Sequence, residues 1–415
     1  MLSVEKSFSL GDFETYLDNL WADPEQELRL PNTLKADAIG GQASLLQLVI
    51  TWARRATENT PLRIYADGND EVSIGHFSRT AVGLVALNFA RAIRGYGDAA
   101  IERSKAMETA LPFVEAMHFG HLSDLRAFAK TTIPLICIDN AKRLARPNRL
   151  YSPNSDQVRS RRDFADLLHA AGGVIIPRSR PISDPRLISA AASLMYEAFL
   201  NTHEHAQADA AGNAYRRSVR GVLIGSRYIK RDKLVPSASG HRPIEDYFQA
   251  WRPDHPAAQH AQFVEMSIFD SGAGMAQTWL QKKGRVSTGI LGSQISIEDE
   301  FQAVLSCFRK GGTTKGGETS GNGLFRIMRV VSDNGGFIRV RSGRLSLVHV
   351  AGVPGHQSDV DEGLDDGKRD FPCTLTLALS PNGLFLRSGI RLYQSAEGLE
   401  KLNGSRLPMS SASLR

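Results

Sequence analysis

The stretch "MYEAFLNTHEHAQ" (195–207) places Glu197, Asn201 and His205 at four-residue intervals. On a helix that spacing stacks them one above another. A carboxylate able to take a proton from water then stands one turn before an amide oxygen able to ligate a metal ion. A solvated surface stripe gives the same pattern, and a lone histidine such as His205 is in most proteins a satisfied structural residue. His203 and His205 lie two apart and point differently, which speaks against a zinc pair on this helix.

Two glycine clusters further on also have the composition of a site. "FDSGAGM" (269–275) puts Asp270 at the end of an apolar run, then Gly272, Gly274 and Met275. A buried carboxylate needs donors, and the amino group of an adenine is one such donor. The glycines allow a ligand to approach the backbone, although Asp-x-Gly-x-Gly also ends many strands as a plain turn. "RKGGTTKGGETSGNGLFRIM" (309–328) carries glycines from Gly311 to Gly323, hydroxyls, Lys315 and a helix directly after. Amides at a helix start, the dipole there and Lys315 all favour an anion. The frame is not that of the Gly-x4-Gly-Lys-Ser/Thr phosphate loop.

Taken in order, Glu-x3-Asn on a helix, Asp-x-Gly-x-Gly after a strand, and a glycine-rich segment with Gly-x-Gly-Leu opening a helix resemble the GHKL ATPase superfamily over about residues 183–381. That group holds gyrase B, the ninety-kilodalton heat-shock chaperones, mismatch-repair ATPases and histidine kinases. The resemblance implies a two-layer α/β sandwich of Bergerat type with a mixed, mostly antiparallel sheet, and ATP and Mg²⁺ as cofactors. It implies that Glu197 activates the attacking water and that Asn201 holds Mg²⁺ against the phosphates; His205, on the same stripe, either reaches a phosphate or is a satisfied structural histidine. Asp270 would bind the adenine amino group beside Gly272, Gly274 and Met275. Gly312, Thr313, Thr314 and Lys315, followed by Gly321, Asn322, Gly323 and Leu324, match the lid, and Thr374 matches a last-strand threonine supporting the aspartate. One departure is Phe325, where many kinases have glycine. Another is the insertion 230–260, long for the two strands it joins. Histidine kinases of this group usually carry asparagine where Glu197 stands; glutamate fits the hydrolases and the serine kinases.

The elements that must position these residues are legible in the same half. Ser183 or Asp184 can cap the stripe's helix with Pro185 in its first turn. Ile188, Ala191, Ala192, Met195 and Phe199 give it a separate apolar face. "VRGVLIGSRYIK" (219–230) and "QFVEMSIFD" (262–270) alternate as antiparallel strands. Residues 230–260 between them, rich in Pro, Arg and His, read as a solvated insertion; its basic residues Lys230, Arg231, Lys233, Arg242 and Arg252 are a weaker candidate for partner contact. "ISIEDEFQAVLSCF" (295–308) is a helix, "FIRVRSGRLSLVHV" (337–350) a hairpin turning at Ser-Gly, and "CTLTLALS" (373–380) a last strand. The segments 219–228, 262–269, 337–350 and 374–380 are expected in one sheet. "DVDEGLDDGKRD" (359–370) lacks the ligand spacing of a Ca²⁺ loop and reads as an acidic turn.

The first half carries no chemical motif. "LRLP", "SLLQLVITWARRA" and "LRIYAD" (28–67) form a strand–helix–strand unit, and "LRLPNTLKADAIGGQASLLQLVITW" resembles the STAS domains that partner some GHKL kinases. Residues 75–129 read as helices, "IPLICID" (133–139) as a buried strand, "RPNRLYSPNSD" (146–156) as a loop, and "DFADLLHAAGGVIIP" (163–177) as a helix, a glycine stop and a short strand. The division drawn is an N-terminal α/β region over 1–170, an ATP-binding domain over 171–381 with the insertion 230–260, and a C-terminal extension over 382–415 with a loose tail.

Bulk properties set limits. With 42% hydrophobic and 23% charged residues the 415-residue chain is globular in composition, and no run of about 18 apolar residues marks a membrane span. Cys137, Cys307 and Cys373 lie far apart and form neither a metal spacing nor a disulfide framework, which suits the cytoplasm. A net charge of +6 on so long a chain permits a polyanion but does not argue for nucleic acid. The expected function is an ATPase switch in a bacterial signalling, stress or defence system, with residues 1–170 meeting a protein partner or a second copy. A serine kinase and a non-catalytic ATP-dependent binding module are the alternatives. A histidine kinase is disfavoured, because the strand at 133–139 interrupts any helical hairpin carrying His118 or His121.

Overall fold

Two sheets organise the chain in the computed structural model, which describes residues 1–33, 40–54, 56–66, 70–129, 131–140, 143–153, 155–175, 185–208, 213–250, 259–283, 295–308, 324, 327, 331, 336–343, 345–350, 374–377 and 384–391. The first sheet is N-terminal. It alternates β1 (Leu2–Ser3), α1 (Leu10–Ala22), β2 (Leu28–Leu30), α2 (Gly41–Ala53), β3 (Leu62–Ile64), α3 (Glu71–Ser78), α4 (Ala81–Phe89) and β4 (Ile93–Arg94), and its four short parallel strands lie in the order β1-β2-β3-β4. Helix α1 starts at a capping box, with the Ser9 hydroxyl accepting from Asp12 N (3.1 Å) and the Asp12 carboxylate accepting from Ser9 N (2.7 Å). Helix α2 is buried almost all round, as a helix between two layers must be. Helices α5 (Arg103–Glu108) and α6 (Leu111–His118) complete this unit.

The second sheet has eight strands. Its elements are β5 (Thr132–Asn140), β6 (Arg143–Ala145), α7 (Arg161–Ile175), α8 (Pro185–His205), β7 (Arg217–Lys230), α9 (Arg231–Ser237), α10 (Arg242–Ala250), β8 (His260–Asp270), α11 (Met275–Lys282), α12 (Ile297–Phe308), β9 (Phe337–Ser342), β10 (Leu345–Val350), β11 (Thr374–Leu377) and β12 (Leu384–Arg391). The order is β11-β10-β9-β12-β8-β7-β5-β6. The four segments expected to share a sheet therefore do. The register places Arg220 opposite Asp270, Val222 opposite Ile268 and Ile224 opposite Met266 on one face, which α7 and α8 cover. Ser267, Glu265 and Phe263 alternate onto the other face, where α10 lays Phe248 against Phe263 (5.7 Å between rings).

The fold corrects several expectations. Every described pairing in the large sheet is antiparallel, so the sheet is not mixed. Its strands β5 and β6 come from before residue 170 and β12 from after 381, and β5 pairs with β7 along its whole length. The N-terminal region is not a separate body either, because one apolar core runs without a break from Leu2 through Trp52 and Phe199 to Leu347. Helix α7 passes through Gly172 and Gly173 to Ile175; Phe164, Leu167, Leu168, Ala171 and Ile175 bury one face and outweigh about 1 kcal/mol of helix propensity per glycine. The insertion is not a solvated loop: Ile244, Tyr247 and Phe248 of α10 are buried at helical spacing. The segments expected to form a lid (309–323), an acidic turn (359–370) and a loose tail (after Arg391) lie outside the described residues. No helix among the described residues is long and apolar enough to cross a membrane.

Candidate functional site

Helix α8 presses Ala191, Ala192, Met195, Ala198 and Phe199 into the core. Thr202 joins them because its hydroxyl donates to the Phe199 carbonyl (2.7 Å), so nothing polar is left unsatisfied there. Glu197, Asn201 and His205 fall on the remaining surface and are each partly buried. The Glu197 carboxylate is held by the guanidinium of Arg161 in the first turn of α7, and the glutamate is the better shielded of the two, at 14% exposure against 47%. Arg161 also lies over the Tyr196 ring (5.4 Å). His205 has Nε2 at 4.0 Å from the Glu204 carboxylate.

His203, which the sequence presents only as a disfavoured zinc partner, belongs to a hydrogen-bonded chain of side chains. Its Nδ1 is 3.1 Å from the Tyr151 hydroxyl, which accepts from Arg220 Nε (2.9 Å). Gln207 Nε2, which can only donate, also faces Nδ1 (3.4 Å), so Nδ1 accepts, Tyr151 donates to it, and the ring proton is on Nε2. Arg220 in turn pairs with Asp139, to which Arg146 also donates (3.4 Å). Burial and the charges of Arg220 and Arg146 lower the His203 pKa, so the ring is neutral at physiological pH. The signal in the sequence was a charge inside each of two apolar strands, Asp139 and Arg220; what joins them to residues 151 and 203 is tertiary structure alone.

Asp270 ends β8 at 4% exposure, and its Oδ1 accepts from Gly272 N (2.8 Å). Ser271 is pinned on three sides: its N donates to the Val219 carbonyl (2.9 Å), its Oγ accepts from Val219 N (2.9 Å), and its carbonyl accepts from Arg54 Nη2 (2.8 Å). A Cβ at Gly272 would lie 2.8 Å from the Ala206 Cα, so the turn touches the end of α8 backbone to backbone. Gly274 has φ +90°, a conformation glycine alone adopts readily. It opens α11, whose first residue Met275 donates from its N to Ser342 Oγ (2.8 Å).

The structure thus brings the end of the stripe's helix against the Asp270 turn. Nine residues of helix, about 13 Å at 1.5 Å per residue, separate Glu197 from the contact at Ala206. Of the lid residues, Gly312, Thr313, Thr314, Lys315, Gly321, Asn322 and Gly323 lie outside the described residues, and Leu324 packs partly buried against the core. Thr374 does not support Asp270. It pairs with Val348 in β11, and β10, β9 and β12 intervene before β8, a separation of about 19 Å at 4.8 Å per strand. The strand beside β8 is β12, with Phe385 opposite Phe269.

Among the described residues no three His, Cys, Asp or Glu side chains converge as a metal cage. A cleft of about 710 Å³ lined by Glu71, His76, Arg79, Lys105, Glu108 and Phe128 lies on the N-terminal unit, away from Asp270. His118 is buried at 6% exposure, with Nε2 3.4 Å from the Ile136 carbonyl, and burial lowers its pKa. No family model, no curated protein and no solved structure matches the chain.

Proposed function

We propose that the chain is an ATP-binding switch of the GHKL type, built on a Bergerat-like nucleotide site between α8 and the β8–α11 turn. The observation that carries this reading is the contact of Gly272 with Ala206, which joins a buried aspartate turn to the helix bearing Glu197 and Asn201. The buried Asp270 carboxylate suits the exocyclic amino group of adenine, and Gly274 and Met275 border that position. Asn201, partly buried on α8, would hold Mg²⁺, which supplies charge neutralisation at the phosphates when bound. Glu197 orients and polarises water at the γ-phosphate. By the same resemblance Gly312, Thr313, Thr314, Lys315, Gly321, Asn322 and Gly323, which lie outside the described residues, match the family's lid sequence. The free Cys137 and Cys307 fit a reducing compartment, and a bacterial signalling, stress or defence role with a protein partner at the N-terminal unit fits a switch.

The pairing of Glu197 with Arg161 favours a second reading, a nucleotide-gated binding module with little or no turnover, because the guanidinium occupies a carboxylate oxygen that would otherwise order the attacking water. Incubation of the purified chain with γ-labelled ATP and Mg²⁺ separates the readings. Release of free phosphate supports an ATPase, label retained on protein supports a kinase, and bound but intact ATP supports the module. Failure to retain ATP at all contradicts all three.

A further inference from the structure

The N-terminal unit reaches the Asp270 turn through a reciprocal exchange of arginines. Arg54, the residue that ends α2, donates from Nη2 to the Ser271 carbonyl (2.8 Å) and from Nη1 to the Arg217 carbonyl (3.4 Å). Arg217, the first residue of β7, donates from Nη1 to the Asn88 carbonyl in α4 (2.9 Å). Each arginine closes backbone acceptors of the other layer.

Arg54 is also fixed as a plane. Its guanidinium lies 3.8 Å from the centroid of the Tyr215 ring and 5.6 Å from that of Phe89. Burial opposes the charge on Arg54, while Tyr215 and Asp270 favour it. Among the described residues its buried Nε has no hydrogen-bond partner. A flat fork that bonds two carbonyls while stacked on a ring is a task for which lysine has the wrong shape. Ser271 lies between Asp270 and Gly272, and Arg54 fixes its carbonyl while Val219 fixes its N and Oγ. The backbone that directly follows Asp270 is thus held by a side chain at the C-terminal end of α2.

We propose that Arg54 is a positioning residue of the adenine site, through which the N-terminal unit responds to nucleotide at Asp270. The inference rests on the nucleotide reading above. Linkage makes the effect mutual: whatever seats α2 tightens nucleotide, and nucleotide seats α2 and α4. This gives the N-terminal unit a role as the output of the switch, set by ligand chemistry at the adenine rather than at the phosphates.

The test uses the full chain with Mg²⁺ and a fluorescent ATP analogue. Affinity is read by titration, and amide exchange is followed in peptides covering 41–53 and 81–89 with and without ATP. In the wild type, nucleotide slows exchange in both peptides. Arg54→Met weakens binding about tenfold, the scale of one lost charge-assisted hydrogen bond, and abolishes the protection. Arg54→Lys recovers part of the affinity. Tyr215→Leu, which removes the ring and leaves the cation, also diminishes the protection and serves if Arg54→Met does not fold. Wild-type affinity with full protection in folded Arg54→Met, or in Tyr215→Leu when that variant stands in, overturns the inference alone. A wild type that binds no ATP overturns the nucleotide reading and this inference with it.

Discussion

Glu14→Gln isolates the contact that fastens α1 to the large sheet. Both carboxylate oxygens of Glu14 are taken by the guanidiniums of Arg339 and Arg341, Arg341 Nε adds a bond of 3.2 Å, and His241 Nε2 lies 3.4 Å away. The two arginines are each 1% exposed, and the Phe13 ring lies 5.8 Å and 5.4 Å from them. Burial by itself would raise the Glu14 pKa, but the Arg341 and Arg339 charges overcome it and hold the carboxyl well below its usual range. Glutamine keeps the shape and removes the charge. Breaking a buried pair costs about 3–5 kcal/mol because the partner charge is left uncompensated. Here two guanidiniums share one acid, and among the described residues Nη1 of each has no hydrogen-bond partner, so the upper part of that range applies. The assay is urea unfolding at pH 7 followed by circular dichroism and tryptophan fluorescence. Replacing the whole cluster, as in Glu14→Leu with Arg339→Met and Arg341→Leu, restores most of the loss, since apolar residues of similar volume carry no desolvation penalty. A loss below about 1 kcal/mol in Glu14→Gln would refute this view of the cluster.

The same cluster sets an acid limit. Burial and the Arg339 charge pull the His241 pKa down to about 4, so below about pH 6.5 the unfolded imidazole takes a proton that the folded one refuses. Below about pH 4.3 the unfolded Glu14 protonates while the folded carboxyl stays charged. Both effects favour the unfolded state in acid, and the thermal midpoint should fall from pH 7 to pH 4; an unchanged midpoint would contradict the assignment. Gly272→Ala should destabilise by about 1–3 kcal/mol, because its Cβ meets backbone at Ala206 rather than a flexible side chain, and calorimetry showing no loss would mean the turn has room. Glu197→Ala should keep ATP bound but lose roughly 10²-fold of any hydrolysis, whereas Asn201→Ala should lose binding and turnover together. Arg161→Ala, which removes that guanidinium from Glu197, should raise turnover; unchanged steady-state rates in both Glu197→Ala and Arg161→Ala would make the pair a surface contact only.

Periodicity made the site's scaffold readable before any coordinates. The apolar face of α8, the alternation in β7 and β8, and the Ser-Gly hairpin β9–β10 are all local patterns, and local patterns survive folding when the core agrees with them. What failed was non-local. Nothing in "IPLICID" says that Thr132 will pair with Gly225, or that Tyr151 will link Arg220 to His203. Thr374 was misplaced for the same reason, since strand order is decided by pairing at a distance. Helix α10 was visible in principle through Ile244, Tyr247 and Phe248, but Pro, Arg and His around it masked the pattern. The stripe itself was legible as Glu197, Asn201 and His205; the Arg161 that holds Glu197 lay 36 residues away and was not.

The central claim is that Asp270 reads the adenine amino group. Equilibrium binding of ATP and of inosine triphosphate, whose base lacks that group, should be measured with Mg²⁺ for the wild type and for Asp270→Asn. The wild type should bind ATP at one saturable site and inosine triphosphate more weakly. Asp270→Asn should lose about 1–3 kcal/mol for ATP and much less for inosine triphosphate, so that the preference collapses. Equal binding of the two nucleotides by the wild type, or an unchanged preference in Asp270→Asn, would contradict the account.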